Sequence, residues 1–593
     1  MEWKKNLPVL ILILAGLLYA FLDWGVVSQL KYLPSPWYGG DYYYQMGQIT
    51  RMYETGPIEW LGSSNGIGDR PAYFPVYGAL VTVFGKILAL DPMQAMFIFS
   101  ALAPLLSMLA FFFLGKEVFG DEKVAALLAL LLFPGAITLK YTEFTIFVVF
   151  PLFLGMLFRF SKKPEMGNGA LLGLAYGALC LSHGSGFPVG TALVGAVFAY
   201  MGWKADWKME KGKLIPYGLA AVIGIAIAML YWFAPIFVFH GSTLLKSEIW
   251  SFPYDLHVPA QAAGKAIELL EMFFLNFGSI NAAMRSALVL AGLYFAWKGK
   301  LWEENGVLAV ALLAVMAITF SFVITAPLFD IQFMPDYIAS VYGYTMVVLI
   351  AGFALREILK RWDIVFYAIA ALLLISGYMN YQSISQGQYY VSAKDPLPVE
   401  ITDIYAGIKA NTDVHDRILS TNENSFAINA MTGRELLVSR RAHNEPFVDF
   451  DKRELAAAVI LYGNDLDEKR RLIGEYGVDY IYWDYYWPQS DFYFDENGRM
   501  TGLFDPLLVL DTPENRVYLD INGVKYLPMT TWIDPSVKAP NVRLYEVLVV
   551  GPDNYEMTGY GPWKNDLDSI LTLKWQYDYG GQPMATLYRI NAG

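Results

Sequence analysis

Apolar residues in this chain come in long runs, and the runs stop near residue 399. Before that point they recur at 7–23, 93–115, 124–140, 144–160, 168–182, 187–202, 214–235, 284–297, 306–326, 337–355 and 364–379. A helix needs about 20 apolar residues to cross the hydrocarbon core of a bilayer. Shorter ones cross when they pack among neighbours in a thinned bilayer. The pattern predicts about eleven transmembrane helices. A further apolar segment, 75–90, follows Pro71 and Pro75 and reads as a helix lying on the membrane surface. The first run follows Lys4 and Lys5, as in a signal peptide. With more spans behind it and no small-residue cleavage site, it reads as a retained anchor.

After residue 399 the period changes. Helix-like stretches at 400–410, 424–432, 449–462 and 467–476 alternate with β runs at Arg417–Thr421, Glu435–Ser439 and Val478–Trp483. Strands alternating with helices indicate a parallel α/β sheet. Beyond Trp487, turn signals separate short β runs: Asp495-Glu-Asn-Gly498, Asn522-Gly523 and Gly580-Gly581. These predict hairpins. The expected fold is a polytopic α-helical membrane domain over residues 1–380, with outer loops at 24–92 and 240–283. A soluble α/β domain with a β-rich segment follows over 381–593.

Composition agrees: 55% of the 593 residues are hydrophobic and 17% are charged, a membrane-protein balance. The net charge of −12 resides after residue 399, where 30 Asp and Glu face 18 Lys and Arg. An acidic domain of this kind is no partner for nucleic acid. In the membrane half, Lys and Arg gather in the short connectors 116–123, 159–165, 203–213, 298–304 and 356–363. Positive charge in short loops marks the cytoplasmic side, and the N-terminus falls there too. The long loops and everything after residue 380 are then extracytoplasmic. Counting 75–90 as a span would reverse that assignment. Cys180 is the only cysteine, so no intrachain disulfide forms.

The most informative stretch is Trp37-Tyr-Gly-Gly-Asp-Tyr-Tyr-Tyr-Gln-Met-Gly-Gln-Ile49. Asp41 opens an apparent helix just after the first span. Such a carboxylate could serve as a general base or hold a divalent cation. It could equally cap the helix, and the roles are compatible. Glu143 follows Leu139-Lys-Tyr-Thr142 between two apolar runs, where a carboxylate is costly unless solvated or paired. It reads as a second acid or metal ligand, or as a solvated residue beside Lys140. His183, in Leu181-Ser-His-Gly-Ser-Gly186, could bind phosphate or metal, or simply end a helix. His240, Lys246, His257, Lys265 and Arg285 put basic groups at the same membrane face, which suits a lipid-linked phosphate or interfacial anchoring. Asp330 and Asp336 add carboxylates there. The sequence contains no P-loop, GxGxxG, HExxH or zinc spacing, and no mid-span charges of an ion pathway.

One span, a long outer loop with Gly-Gly-Asp, Tyr73-Phe-Pro75 before a surface helix, short-loop spans and an outer C-terminal domain: this layout resembles the GT-C superfamily of membrane glycosyltransferases over the whole chain. The resemblance implies a polyprenyl-phosphate-linked sugar donor and a lipid, glycan or protein acceptor on the extracytoplasmic face. It implies Asp41 and Glu143 as catalytic carboxylates, and as ligands of Mg or Mn where a cation is used. On that reading His183, Lys246 and Arg285, basic groups on the same face, are expected to steady the leaving phosphate. The chain departs from many relatives in having one first-loop carboxylate, not two, and Gln45 in place of His. Oligosaccharyltransferases acting on Asn share the architecture and carry Trp-Trp-Asp, against Tyr482-Trp483-Asp484-Tyr485 here. That is one alternative. A non-catalytic scaffold with a partner-binding outer domain is the other.

Overall fold

The computed structural model describes residues 3–591 apart from 35–39, 58–74, 133–139, 208–210, 234–236, 238–257, 300–304, 330–335, 397–398, 441–448, 485–491, 495–499, 504–505, 532–544 and 553–559. The N-terminal part is helical: α1 (Trp3–Val27), α2 (Gly40–Thr55), α3 (Val76–Ile87), α4 (Pro92–Phe119), α5 (Glu122–Leu132), α6 (Tyr141–Lys162), α7 (Met166–Cys180), α8 (Gly186–Lys204) and α9 (Lys211–Phe233). Then come α10 (Pro259–Phe274), α11 (Ile280–Lys298), α12 (Gly306–Phe329), α13 (Asp336–Leu349), α14 (Ala351–Arg361) and α15 (Val365–Ser385).

Nine helices among the described residues are long and apolar enough to cross a membrane. Helix α4 shows how the sequence delimits one. Asp91 accepts from the Gln94 amide at its start, Pro92 holds the first position, and Gly120 ends it at φ 69°. Each device satisfies or removes a backbone group that a helix end leaves orphaned. The run expected at 124–140 begins as α5, and its continuation lies outside the described residues. The run at 168–182 is the 15-residue α7. At 12 residues α3 is too short to span; it buries Tyr77 and Val81 and packs on α2 and α4.

One expectation needs correction, the turn at Asn522-Gly523. Segment 240–283, expected as an outer loop, contains a 16-residue helix, α10, with Pro259 at its start. Ala262, Leu269 and Phe273 form its buried side, a helical spacing that the charged residues between them hide. Asn522-Gly523 is not a hairpin turn. It ends a helix over Pro513–Ile521, and Gly523 takes the left-handed φ of 65° that follows a helix.

After residue 399 the chain forms α16 (Val399–Asn411), α17 (Asn422–Thr432), α18 (Phe450–Tyr462) and α19 (Leu466–Tyr476) around a five-stranded sheet. Its strands are β1 (Arg417–Leu419), β2 (Glu435–Leu436), β3 (Tyr480–Asp484), β9 (Leu571–Tyr579) and β10 (Gln582–Ile590), in the order β2-β1-β3-β10-β9. The first three are parallel; β10 is antiparallel to β3 and β9. Alternate strand residues go to opposite faces. Ile418, Tyr480 and Tyr482 pack with α16 and α17, while Leu419, Ile481 and Trp483 pack with α18 and α19. Between β3 and β9 lie the pair β4 (Phe492–Phe494) and β5 (Met500–Leu503) and a sheet of β6 (Leu507–Leu510), β7 (Leu527–Thr531) and β8 (Tyr545–Val550), all antiparallel. Gly580 and Gly581, at φ 61° and 81°, turn β9 into β10 as expected.

Helix α2 joins the two parts. It buries ten consecutive residues, Tyr43 to Met52, and packs along α17. A Cβ on Gly47 would stand 2.4 Å from Asn429 Oδ1, and one on Gly433 would stand 2.8 Å from the Arg51 amide nitrogen. Residues 47 and 51 are thus in step with 429 and 433, so the two helices run parallel. Arg51 donates to Glu435 Oε1 at 2.9 Å, and Arg417 donates to Glu435 Oε2 at 3.1 Å. Glu54 accepts from Arg434 at 3.0 Å and pairs with Lys409 at 2.8 Å. Burial alone would push the Glu54 carboxyl up; the hydrogen bonds from Lys409 and Arg434 outweigh it and hold the group below its usual range.

Glu435→Ala leaves two buried guanidinium groups facing each other. We expect it to cost about 3–5 kcal/mol and to lower the unfolding midpoint of the detergent-solubilised protein. Lys452→Ala breaks the exposed pair with Asp449 and should cost under about 1 kcal/mol. Equal midpoints for the two variants would contradict the clamp.

Candidate active site

The start of α2, the start of α6 and the turn between α7 and α8 meet in one place. Asp41 is the second residue of α2. It therefore sits in the first helical turn, where a carboxylate is favoured by the helix dipole. Lys140 caps α6 and reaches back to Asp41, with Nζ 3.3 Å from Oδ2. The same ammonium lies 4.9 Å from the centre of the Tyr42 ring, within cation–π range. The Tyr42 hydroxyl is hydrogen-bonded to Tyr390, just beyond the last long apolar helix.

Gln45 ties the same two helices together. Its Oε1 accepts the Tyr141 amide at 2.9 Å, while its Nε2 is buried with no hydrogen-bond partner among the described residues. Glu143, two residues beyond Tyr141, has Oε2 buried and likewise without a partner among them. An unsatisfied buried polar atom costs about 1–3 kcal/mol, so two in one place need an explanation. A π-helical turn over Thr145–Val149 follows directly. Such turns are frequent at functional sites. Thr145 Oγ1 hydrogen-bonds to the Tyr141 and Ser182 carbonyls, at 2.8 and 3.1 Å. Tyr77 of α3 packs on Phe144, ring centres 5.6 Å apart, so α3 supports the turn that carries Glu143.

His183 stacks on Tyr141 with ring centres 5.5 Å apart and planes 19° from parallel. Its Nδ1 accepts the Ser185 amide at 3.1 Å and lies 2.6 Å from Ser185 Oγ, which in turn meets the Tyr342 hydroxyl at 2.9 Å. Because Nδ1 accepts a backbone N–H, the neutral ring carries its proton on Nε2. Burial pushes the His183 imidazole down to about 4, against the opposing pull of the Asp41 charge. At neutral pH the ring is an uncharged donor.

The other expected residues are distributed differently. Arg285 lies on α11 with its guanidinium 4.8 Å from the Tyr344 ring, on α13 two residues beyond Tyr342. Lys265 pairs with Glu268 on α10 at 2.9 Å. Lys246, His240, His257 and Asp330 lie outside the described residues, as does the side chain of Asp336. Trp483 donates to the Tyr560 carbonyl at 3.0 Å, and Asp484 accepts from Asn424 and Tyr482, each at 3.0 Å. Both are buried. Lys140 is the residue that sequence reasoning passed over. It stands in the same turn as Glu143, where it figured only as that residue's neighbour.

A divalent cation held by Asp41 and Glu143 is poorly matched to this donor set. Among the described residues no three His, Cys, Asp or Glu side chains gather, and Asp41 is paired with a cation, Lys140. A dication beside Lys140 would be repelled by about 4 kcal/mol per unit charge at 4 Å under the screening typical near a protein surface.

No family model matches the chain. The uncharacterized protein MJ1080 of Methanocaldococcus jannaschii is 40% identical over 126 residues, which is 21% of this chain and 91% of that protein. Among solved structures, the oligosaccharyltransferase AglB from Archaeoglobus fulgidus, in complex with an inhibitory peptide and a dolichol-phosphate, is similar at 13% identity and a TM-score of 0.48. The match covers 85% of this chain and 75% of that one. ArnT from Cupriavidus metallidurans, bound to undecaprenyl phosphate, is similar at 14% identity and a TM-score of 0.41, over 94% of this chain and all of that one.

The buried, neutral His183 generates a pH prediction. Between about pH 4 and about pH 6.5 the unfolded chain takes up this proton and the folded chain does not, so acidification through that range weakens the fold. In ¹⁵N-histidine spectra, the resonances lost in His183→Asn should stay in the Nε2–H form from pH 8 to 5. A titration midpoint near the ordinary histidine value would contradict the assignment.

Proposed function

We propose that this chain, which belongs to one family with the Methanocaldococcus jannaschii protein MJ1080, is a GT-C-type membrane glycosyltransferase. It moves a sugar from a polyprenyl-phosphate carrier to an acceptor hydroxyl at the membrane surface. The observation that carries this reading is the convergence of Asp41, Lys140, Glu143 and His183 at the ends of membrane-length helices, beneath a clamped soluble domain. A site there meets a lipid-anchored donor and a water-borne acceptor together. That arrangement supplies much of the proximity that transfer requires.

In this reading Asp41, half-exposed, takes the acceptor's proton as the acceptor oxygen attacks the anomeric carbon. The bond from that carbon to the phosphate oxygen breaks, and the phosphate leaves on its lipid. The unpartnered Oε2 of Glu143 receives a substrate hydroxyl. His183 donates from Nε2 to an oxygen on which charge develops. Arg285 and Lys246 are assigned to the donor head group as further cations. The engagement of Trp483 and Asp484 within the soluble domain favours this reading over transfer to an Asn-containing peptide.

Charge placement supports an extracytoplasmic site. Cys180 is buried, so a chain carrying Lys574→Cys on the exposed strand β9 should react with a membrane-impermeant maleimide in intact cells. Labelling only after lysis would place the domain in the cytoplasm.

With membranes and labelled polyprenyl-phosphate sugar, Asp41→Asn should lower transfer by about 10²-fold or more, the scale of a lost general base. Undiminished transfer would remove Asp41 from the mechanism. A scaffold would show no transfer in the unsubstituted protein and no loss of partner binding in the variant.

A further inference from the structure

We propose that the Lys140 ammonium, in place of a divalent cation, receives the donor's phosphate, with Gln45 Nε2 as its neighbouring donor. The ligand is the phosphate head of a polyprenyl lipid, so the inference rests on the glycosyl-transfer reading above.

Three independent features meet at this point. Lys140 precedes the first turn of α6, and the start of a helix of this length carries a partial positive charge that favours an anion. Its ammonium is held in place by the Asp41 carboxylate at 3.3 Å and the Tyr42 ring at 4.9 Å. Gln45 is 1% exposed, is oriented by the Tyr141 amide, and keeps Nε2 as a buried donor without a partner among the described residues. A phosphate oxygen satisfies that donor and shares the ammonium. Water alone would satisfy the donor but give no reason for a cation beside it.

The ion pair also links the two halves of the reaction. In the resting site the ammonium is shared with Asp41. When Asp41 takes the acceptor proton, the carboxylate becomes neutral and its hold on Lys140 weakens. In the same step the carbon–oxygen bond to phosphate breaks, and its electron pair stays on the phosphate oxygen. The ammonium is thus released toward the leaving group as the negative charge there grows, the condition under which a preorganised charge accelerates a step most. One proton moves from acceptor to Asp41, and one electron pair moves from the breaking bond to phosphate. No metal is consumed in the balance.

The test is binding of undecaprenyl phosphate and dolichyl phosphate to the full-length protein in nanodiscs, with EDTA or with added Mg or Mn. The unsubstituted protein should bind in EDTA. Lys140→Met should weaken binding by at least about tenfold, the scale of one lost charge-assisted hydrogen bond, while Lys140→Arg restores most of it. Gln45→Glu should also weaken it. Asp41→Asn should bind as tightly as the unsubstituted protein or more tightly, because it frees the ammonium; loss through general damage to the site would weaken this variant too. Binding that needs the metal and ignores Lys140→Met would overturn the inference while leaving the lipid-donor reading intact. No binding to either lipid under any condition would overturn both.

Discussion

The packing of α2 against α17 is the constraint on which the rest of the molecule depends. One polar helix, buried over ten consecutive residues, carries Asp41 at one end and the clamp residues Arg51 and Glu54 at the other. Its depth of contact is possible only because Gly47 and Gly433 lack side chains where the two helices approach. Two buried arginines sharing Glu435 then make a shift along the helix costly, since separating any member takes a buried charge from its counter-charge. Asp41 is therefore positioned from both sides: by the membrane helices at its own end, and by the soluble domain about three turns away.

The C-terminal domain is thus part of the framework that holds α2. Helix α17 packs on the sheet face that carries Ile418, Tyr480 and Tyr482. The direction of α17 sets that of α2, and α2 presents its first turn to Lys140. Gln45 completes the arrangement by binding the Tyr141 amide, which fixes the start of α6 relative to α2. The pair of unsatisfied atoms, Gln45 Nε2 and Glu143 Oε2, is the cost the fold carries at this point. Sites built for polar ligands carry such costs because the ligand removes them on binding.

Much of the fold was legible from local pattern. Strands β1, β2 and β3 are buried on both faces and read as short apolar runs between amphipathic helices, so their α/β character showed in spacing alone. Gly580-Gly581 was legible because a two-residue hairpin needs positive φ at both positions. Asn522-Gly523 looked the same but closes a helix, since the left-handed residue after a helix and a hairpin turn use the same residue types. Helix α10 was hidden by its charged residues. The site was half legible. Asp41, Glu143 and His183 stood out as polar residues at the ends of apolar runs. The role of Lys140 did not, because a lysine near a membrane has many uses and its partner is 99 residues away. The clamp was invisible for the same reason: Arg434 and Glu54 are 380 residues apart, and no local pattern reports such a contact.

A structure of the full-length protein in a lipid nanodisc with bound polyprenyl phosphate is the most direct measurement. Catalysis at the meeting point of α2 and α6 requires the phosphate within hydrogen-bonding distance, about 3 Å, of Lys140 Nζ and Gln45 Nε2, with Asp41 open to the acceptor side. A phosphate lodged beside Arg285 on α11, out of reach of Lys140, would contradict it. So would a metal ion bridging Asp41 and Glu143 with the lysine turned away.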